Sequence, residues 1–166
     1  MITLLFTTSL VQASQTPACN TEQHRAFDFW LGNWQVFKAD GSLAGSNRIS
    51  LAQNGCVLTE QYRTPGGFNG QSLNMFDSNR GLWHQTWVDN SGSLLLLEGN
   101  IVDNDMLLSG AITTAEGEVQ QQRIRWTPNQ DGSIRQHWQA QMADGNWVTL
   151  FDGLYKKVAD HNKEGN

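Results

Sequence analysis

At 166 residues the chain is long enough for one domain with its own hydrophobic core and too short for two ordinary domains. The formal net charge of −5 excludes a general attraction to phosphate backbones or anionic lipid surfaces, so no nucleic-acid partner is expected. Seven Trp and seven Phe stand against two Tyr, which predicts that flat rings form much of the core or of a cavity wall.

The first residues are typical of an export signal. An apolar stretch runs from Ile2 to Phe6, and Val11-Gln12-Ala13 forms a small-residue cleavage pattern. The stretch is too short to cross a bilayer, so no membrane span is expected here. We therefore predict that residues 1–18 are a signal peptide or a disordered leader and that the mature protein is periplasmic or secreted.

The segment after the leader carries the first cysteine and a helix signal. Cys19 and Cys56 are the only cysteines, and an even number in an exported chain predicts one disulfide, with two buried thiols as the alternative. Asn20, followed three residues later by Gln23, is a helix-capping pattern. It predicts a short N-terminal helix through about Phe29 whose aromatic side chains plug an apolar space.

From Leu31 onward the pattern is that of short strands separated by turns, with no long amphipathic helix between them. The turn signals are Asp40-Gly41, Asn54-Gly55, Pro65 to Gly70, Asp77 to Gly81, Asp89 to Gly92, Asp103 to Asp105, Glu116-Gly117, Asn129 to Gly132 and Asp144-Gly145. Nine turns delimit ten strands. The strand alternation places Trp83, Gln85 and Trp87 on one face of their strand, and Trp147, Thr149 and Phe151 on one face of theirs. One face of the sheet is therefore rich in aromatic residues.

A chain of ten consecutive antiparallel strands leaves two unpaired edges unless the first and last strands pair. Closure into a barrel removes both edges, although periodicity alone leaves a sandwich open. We predict one barrel domain over residues 19–158 and a flexible polar tail over residues 159–166. Leu94 to Leu97 is apolar on both faces, so this strand is either covered outside by the helix or lies in a homodimer interface.

The segment from Phe27 to Val36, FDFWLGNWQV, resembles the opening of a group of bacterial lipocalin-like proteins, which read F-D-F-W-x-G-x-W-x-V. The resemblance continues through nearly the whole mature chain, at Asn54 to Val57, Ser72 to Asp77, Trp83 to Asp89 and Phe151 to Tyr155.

Gly32-x-Trp34 is also similar to the motif that opens the first strand of lipocalins, where the Trp closes one barrel end beneath a short helix. The resemblance implies an all-β fold, namely a single antiparallel up-and-down barrel of about ten strands, lipocalin- or calycin-like, with a ligand cavity. It assigns no catalytic residue. Lipocalins also pack an Arg or Lys from near the end of the barrel over this Trp, and Lys156 and Lys157 are the candidates here.

If the aromatic face points inward, it carries a few polar side chains among the rings, which is the composition of a small-ligand site. The predicted ligand-binding residues are Trp34, Glu60, Tyr62, Asn74, Gln85, Trp87, Trp126, Gln136 and Trp138. These polar groups could instead satisfy one another or buried water. If the two faces are reversed, Arg123, Arg125 and Arg135 line the cavity and select an anion.

The leading hypothesis is therefore an exported binding protein that holds a small apolar or amphipathic molecule in a Trp-lined cavity. Glu60 and Tyr62 suggest a calycin-like isomerase or cyclase as an alternative, and a ring-filled structural barrel without ligand is another. A haem barrel is a further alternative, although His84 and His137 are out of phase with the inward rings. The sequence contains no metal-ligand spacing or known nucleophile motif, so no metal, cofactor or catalytic residue is assigned.

Overall fold

The structure is a computed structural model that describes residues 18–158. All of the predicted leader except Ala18, and the whole predicted tail, lie outside the described residues. Within residues 18–158, no helix is long and apolar enough to cross a membrane.

The N-terminal helix is shorter than its sequence pattern predicts. It consists of α1, Glu22–Arg25, followed by a 3₁₀ turn at Asp28–Trp30. The residue at the N-cap is Thr21, not Asn20, and its hydroxyl lies 2.7 Å from Nδ1 of His24 instead of capping the backbone. The helix ends early because the chain tightens into the 3₁₀ turn, which places Phe27 and Trp30 in the end of the barrel.

Ten strands follow, as predicted. They are β1 (Gly32–Lys38), β2 (Leu43–Ala52), β3 (Val57–Arg63), β4 (Asn69–Asp77), β5 (Leu82–Asp89), β6 (Leu94–Val102), β7 (Asp105–Thr113), β8 (Val119–Pro128), β9 (Ile134–Gln141) and β10 (Trp147–Lys157). Each pairs antiparallel with its neighbours in sequence, and β1 pairs with β10, where Val36 faces Tyr155. The closed barrel is confirmed, and the sandwich alternative is wrong.

The aromatic face of the sheet points into the barrel. On β3, Leu58, Glu60 and Tyr62 are buried while Gln61 and Arg63 are exposed, so the even-numbered residues of this strand are the inner set. Trp83 and Gln85 are likewise buried on β5. The reversed arrangement, with an arginine-lined cavity, is therefore wrong.

The arginines of the reversed arrangement have partners on the outer face. Arg125 donates to Asp105 over 2.8 Å, and Arg135 makes two hydrogen bonds with Asp152, at 2.7 and 2.8 Å. The Arg123 guanidinium lies 4.0 Å from the ring centroid of Trp147. These contacts describe a solvated, charge-balanced surface.

The position of Trp147 corrects one prediction. Trp147, Thr149 and Phe151 were expected on a single face, but the register of β10 against β9 shifts between Thr149 and Phe151. The extra residue, Leu150, forms a bulge, and a bulge reverses the alternation of the strand beyond it. Phe151 therefore faces inward opposite Trp138, whereas Trp147 packs outside.

β6 is apolar on both faces, and the helix does not cover its outer face. Leu95 and Leu97 are buried inside the barrel, while Leu94 and Leu96 remain 57% and 46% exposed. The helix lies across one end of the barrel instead, and a homodimer interface at this face stays a prediction.

The barrel end beneath the helix is filled with rings. Phe27 stacks on Trp30 with ring centroids 4.9 Å apart and contacts Trp126 at 5.3 Å and Trp83 at 5.6 Å. The Trp83 indole donates to the backbone oxygen of Gln23 over 3.1 Å, which joins helix and barrel. These contacts close this end of the barrel, called the closed end below.

Trp34 and the cysteines complete the closed end. The Trp34 indole donates to the backbone oxygen of Trp30 over 2.9 Å, and Nζ of Lys157 lies 5.3 Å from the Trp34 ring centroid. This is the basic residue over the Trp that the lipocalin resemblance implies. The predicted disulfide is confirmed: Cys19 and Cys56 are bonded and tie the start of the helix to the β2–β3 connection.

Candidate functional site

A cavity of about 740 Å³ occupies the other half of the barrel. Residues of the β3–β4 and β5–β6 turns, including Pro65 and Ser91, form part of its lining. The cavity therefore opens to solvent at the end opposite the helix, called the mouth below. Of the seven Trp, four pack at the closed end, Trp87 and Trp138 line the cavity, and Trp147 lies outside.

The lining has two layers, and four strands each contribute one residue to both. The deeper layer, called the polar floor, consists of Glu60, Gln85, Gln136 and Tyr155. The outer layer, called the aromatic wall, consists of Tyr62, Trp87, Trp138 and Phe151. On β3, β5 and β9 the two residues are successive inward positions, so each ring lies directly on the mouth side of a polar floor residue. On β10 the inward-facing Gly153 stands between Tyr155 and Phe151.

A glycine provides the room for one wall ring. Gly70 faces inward opposite β5, and a Cβ atom there would lie only 2.2 Å from the Trp87 ring. The ring occupies the place of the missing side chain and lies back against the barrel wall. The Trp87 indole then donates to Asp89 over 3.1 Å, which holds the ring at the mouth.

Trp138 is held in a comparable way. Its indole donates to Oε1 of Gln122 over 2.9 Å, and Gln122 is buried on the adjacent strand β8. Both cavity tryptophans thus direct their N–H groups into the barrel structure and present ring surface to the cavity.

Glu60 is the charged centre of the polar floor and is only 4% exposed. Asn47 donates to its Oε1 over 2.6 Å, and Ser72 donates to its Oε2 over 2.6 Å. The donation continues outward, because Asn74 donates to Ser72 over 2.8 Å and Gln85 donates to Asn74 over 2.7 Å. A chain of side-chain donors therefore points toward one carboxyl group.

Tyr155 connects Asn47, which donates to Glu60, with Gln136 on β9. Its hydroxyl donates to Oε1 of Gln136 and accepts a 3.3 Å hydrogen bond from Asn47. The Tyr62 hydroxyl, by contrast, has no hydrogen-bond partner within residues 18–158, and its ring forms part of the cavity lining. The polar floor thus consists of hydrogen-bonded side chains, and one free hydroxyl, that of Tyr62 in the aromatic wall, lies at its edge.

The burial of this network shifts its pKa values. Desolvation raises the pKa of Glu60 from 4.5 to about 7, although the hydrogen bonds from Ser72 and Asn47 oppose the increase. Desolvation and the nearby Glu60 carboxyl also raise the pKa values of Tyr62 and Tyr155, so both phenols stay neutral at physiological pH. A carboxyl that titrates near neutrality at a cavity surface is suited to binding a charge or moving a proton.

The structure brings most of the predicted ligand-binding residues together. Six line the cavity, namely Glu60, Tyr62, Gln85, Trp87, Gln136 and Trp138. Asn74 lies behind the lining and bonds to Gln85. Trp34 and Trp126, in contrast, lie at the closed end, because Phe27 and Trp30 fill the space that a ligand would need to reach them.

Several lining and supporting residues were not among the predicted ligand-binding residues. Phe151 and Tyr155 lie in the closing motif of the family resemblance, and their spacing from Gly153 would have indicated a shared inward face. Asn47 and Ser72 carry no local signal, because their contact with Glu60 depends on the register of β2 and β4 against β3.

The histidines considered for haem lie on the outer face. His84 bonds to Glu98 and Thr86, and His137 bonds to Thr149, so neither reaches the cavity. Over the described range 18–158, no group of three or more His, Cys, Asp or Glu residues is placed to hold a metal ion.

The fold and the site together define a class: a closed, ten-stranded antiparallel barrel with a helix across one end and an internal cavity open at the other, consistent with a lipocalin-like fold. No protein-family model matches the chain, and no curated protein shows significant sequence similarity to it.

Proposed function

We propose that the protein is an exported binding protein that holds one small amphipathic molecule in the barrel cavity. The observation that carries this proposal is the layered lining, with polar groups at the depth of the cavity and aromatic rings toward its mouth. A molecule with a polar head and an apolar body fits this order if the head enters first.

The dimensions support a small ligand. Binding pockets for small molecules commonly enclose about 300 to 1,000 Å³ and combine apolar walls with a few placed polar groups. The 740 Å³ cavity falls within this range. The rings of Trp87 and Trp138 supply apolar contact area at little conformational cost, because the hydrogen bonds to Asp89 and Gln122 already hold them.

The disulfide supports the export part of the proposal. Bonds such as Cys19–Cys56 persist in oxidising compartments and are rare in the cytosol. A periplasmic or secreted location would maintain the link between the helix and the barrel.

Titration with the neutral fluorescent probe N-phenyl-1-naphthylamine tests the binding function. The proposal predicts saturable, one-to-one fluorescence enhancement with energy transfer from Trp to the probe. Ala44, a buried residue of the cavity lining, offers a blocking variant, because Ala44→Phe fills space near the mouth. Loss of the signal in a folded Ala44→Phe variant supports a cavity site, whereas an equal signal would contradict it.

The pKa of Glu60 favours a second candidate, acid–base catalysis on a bound ligand. A carboxyl with a pKa of about 7 can both accept and return a proton near neutrality. Deuterium exchange next to the carbonyl of 2-decanone, followed by NMR, measures such proton transfer. Exchange that depends on Glu60 and is lost in Glu60→Gln would support catalysis, and exchange at the rate of free solution would contradict it.

A further inference from the structure

The charge of Glu60 has no counterpart inside the barrel. Among residues 18–158, no Lys, Arg or His forms an ion pair with it, and its hydrogen-bond partners are the neutral Asn47 and Ser72. Lys38, the one basic residue of the cavity lining, lies in an exposed position at the mouth. The depth of the cavity therefore carries an acid without a cation.

The floor also contains acceptor atoms that are not fully used. Each oxygen of Glu60 accepts one hydrogen bond within the protein, although an ionised carboxylate can accept about four in total. The side-chain oxygen of the adjacent Asn47 is buried and has no partner within residues 18–158. A group rich in hydrogen-bond donors would satisfy these atoms.

The aromatic wall is equally suited to a positive charge. The negative faces of aromatic rings attract cations, most strongly where water is excluded. Tyr62, Trp87, Trp138 and Phe151 line the passage from the mouth to Glu60. The net charge of −5 further favours the approach of a cation over an anion.

We infer that the cavity selects a protonated primary amine carried on an apolar body, with the ammonium group at Glu60 and the body between the rings of the aromatic wall. An ammonium group has three donors and one positive charge, which match the open acceptors and the unpaired carboxylate. This inference rests on the proposed binding function and specifies the head group of its ligand.

The titratable side chains that face Glu60 are Tyr62 on its own strand and Tyr155 on β10, while Lys38 and Asp89 line the same cavity at its mouth. The adjacent strands β2 and β4 contribute the neutral Asn47, Ser72 and Asn74. Because both phenols stay neutral, ionisation of Glu60 alone sets the charge of the floor, and amine affinity rises as the pH passes through about 7.

Three probes of equal chain length test the inference: decylamine, decan-1-ol and decanoate, each measured by displacement of N-phenyl-1-naphthylamine at pH 7.5. We expect decylamine to bind about tenfold or more tightly than decanol, since a charged hydrogen bond contributes more than about 1.4 kcal/mol, and decanoate to bind most weakly. In Glu60→Gln the three affinities should converge, while Glu118→Gln, in an exposed turn, should retain the wild-type order.

The pH profile of the wild-type protein provides a second measurement that needs no variant at Glu60. The ratio of decylamine to decanol affinity should increase from pH 5.5 to pH 8, whereas a ratio that stays constant overturns the inference. If decanol and decylamine displace the probe with equal affinity at pH 7.5, the inference fails and the binding function stands. If neither the probe nor any of the three compounds binds, both fail.

Discussion

Ser72 donates its hydroxyl hydrogen to Glu60 across the β3–β4 pair, where the two residues stand opposite each other, over 2.6 Å. With the 2.6 Å bond from Asn47, this contact gives the carboxyl two donors but no counter-ion. Burial outweighs both bonds, so the pKa of Glu60 is raised to about 7. Folding therefore favours the protonated form of Glu60.

The first prediction concerns stability against pH. Below pH 4.5 Glu60 is protonated in the folded and unfolded chain, but between pH 4.5 and about 7 only the folded chain keeps the proton. The free energy of unfolding should therefore fall as the pH rises through this window, by about 3 kcal/mol at most from this group, and then level off.

Chemical denaturation at a series of pH values measures this effect. The stability of Glu60→Gln relative to the wild type should increase from pH 4.5 to pH 8, because the variant lacks the titrating group. Glu118→Gln serves as the control for removing an exposed carboxyl. Parallel profiles for Glu60→Gln and the wild type would show that burial of Glu60 does not disfavour its charge.

The second prediction concerns the disulfide. Cys19 and Cys56 are 37 positions apart, and closing a loop of this length stabilises a protein by about 4 kcal/mol on the chain-entropy estimate. The Cys19→Ser/Cys56→Ser protein should lose stability of this order in denaturation experiments. Reductant should destabilise the wild type but leave the double variant unchanged, and equal responses would contradict the assigned bond.

The third prediction separates the tryptophans of the closed end from those of the cavity. Trp126 is fully buried against Phe27 and Trp30, so Trp126→Ala should cost about 3–5 kcal/mol of unfolding free energy. Trp87 is partly exposed in the cavity, so Trp87→Ala should cost less and should weaken probe binding. Equal stability losses in denaturant titrations would contradict this division.

The fourth prediction tests the role of Gly70. Because a Cβ atom there would lie 2.2 Å from the Trp87 ring, Gly70→Ala should push the ring into the cavity and reduce affinity for N-phenyl-1-naphthylamine about tenfold. In a Trp87→Ala background the same substitution should have little effect on binding, since the clash is gone. An additive double variant would indicate that Gly70 acts independently of Trp87.

The extent to which sequence predicts this protein differs from one feature to the next. The alternation of Leu58, Glu60 and Tyr62 favoured the inner face of β3 that the structure shows, although the reversed arrangement stayed open. The even number of strands permitted closure, and the resemblance to lipocalin-like proteins favoured the barrel over the sandwich. The bulge at Leu150 was not predictable by the same reasoning, because one extra residue reverses the alternation without changing composition.

Strand alternation also limited the prediction of the candidate site. Polar residues among inward rings identified the six cavity residues, but strand alternation does not distinguish one end of a barrel from the other. Trp34 and Trp126 were therefore included, although the helix fills the end where they lie. The role of Asn47 required the register of β2 against β3, which depends on tertiary packing.

The indole N–H signals of the seven tryptophans provide the most direct test of ligand binding in the cavity. In a ¹H–¹⁵N spectrum of the labelled protein, added decylamine should shift the signals of Trp87 and Trp138. Nuclear Overhauser effects should connect these two indole groups with the decyl chain. Trp147 on the outer face and Trp126 at the closed end should remain unchanged. Saturable shifts confined to Trp147 or Trp126, or no shift at Trp87 and Trp138 with either decylamine or N-phenyl-1-naphthylamine, would contradict a ligand-binding cavity.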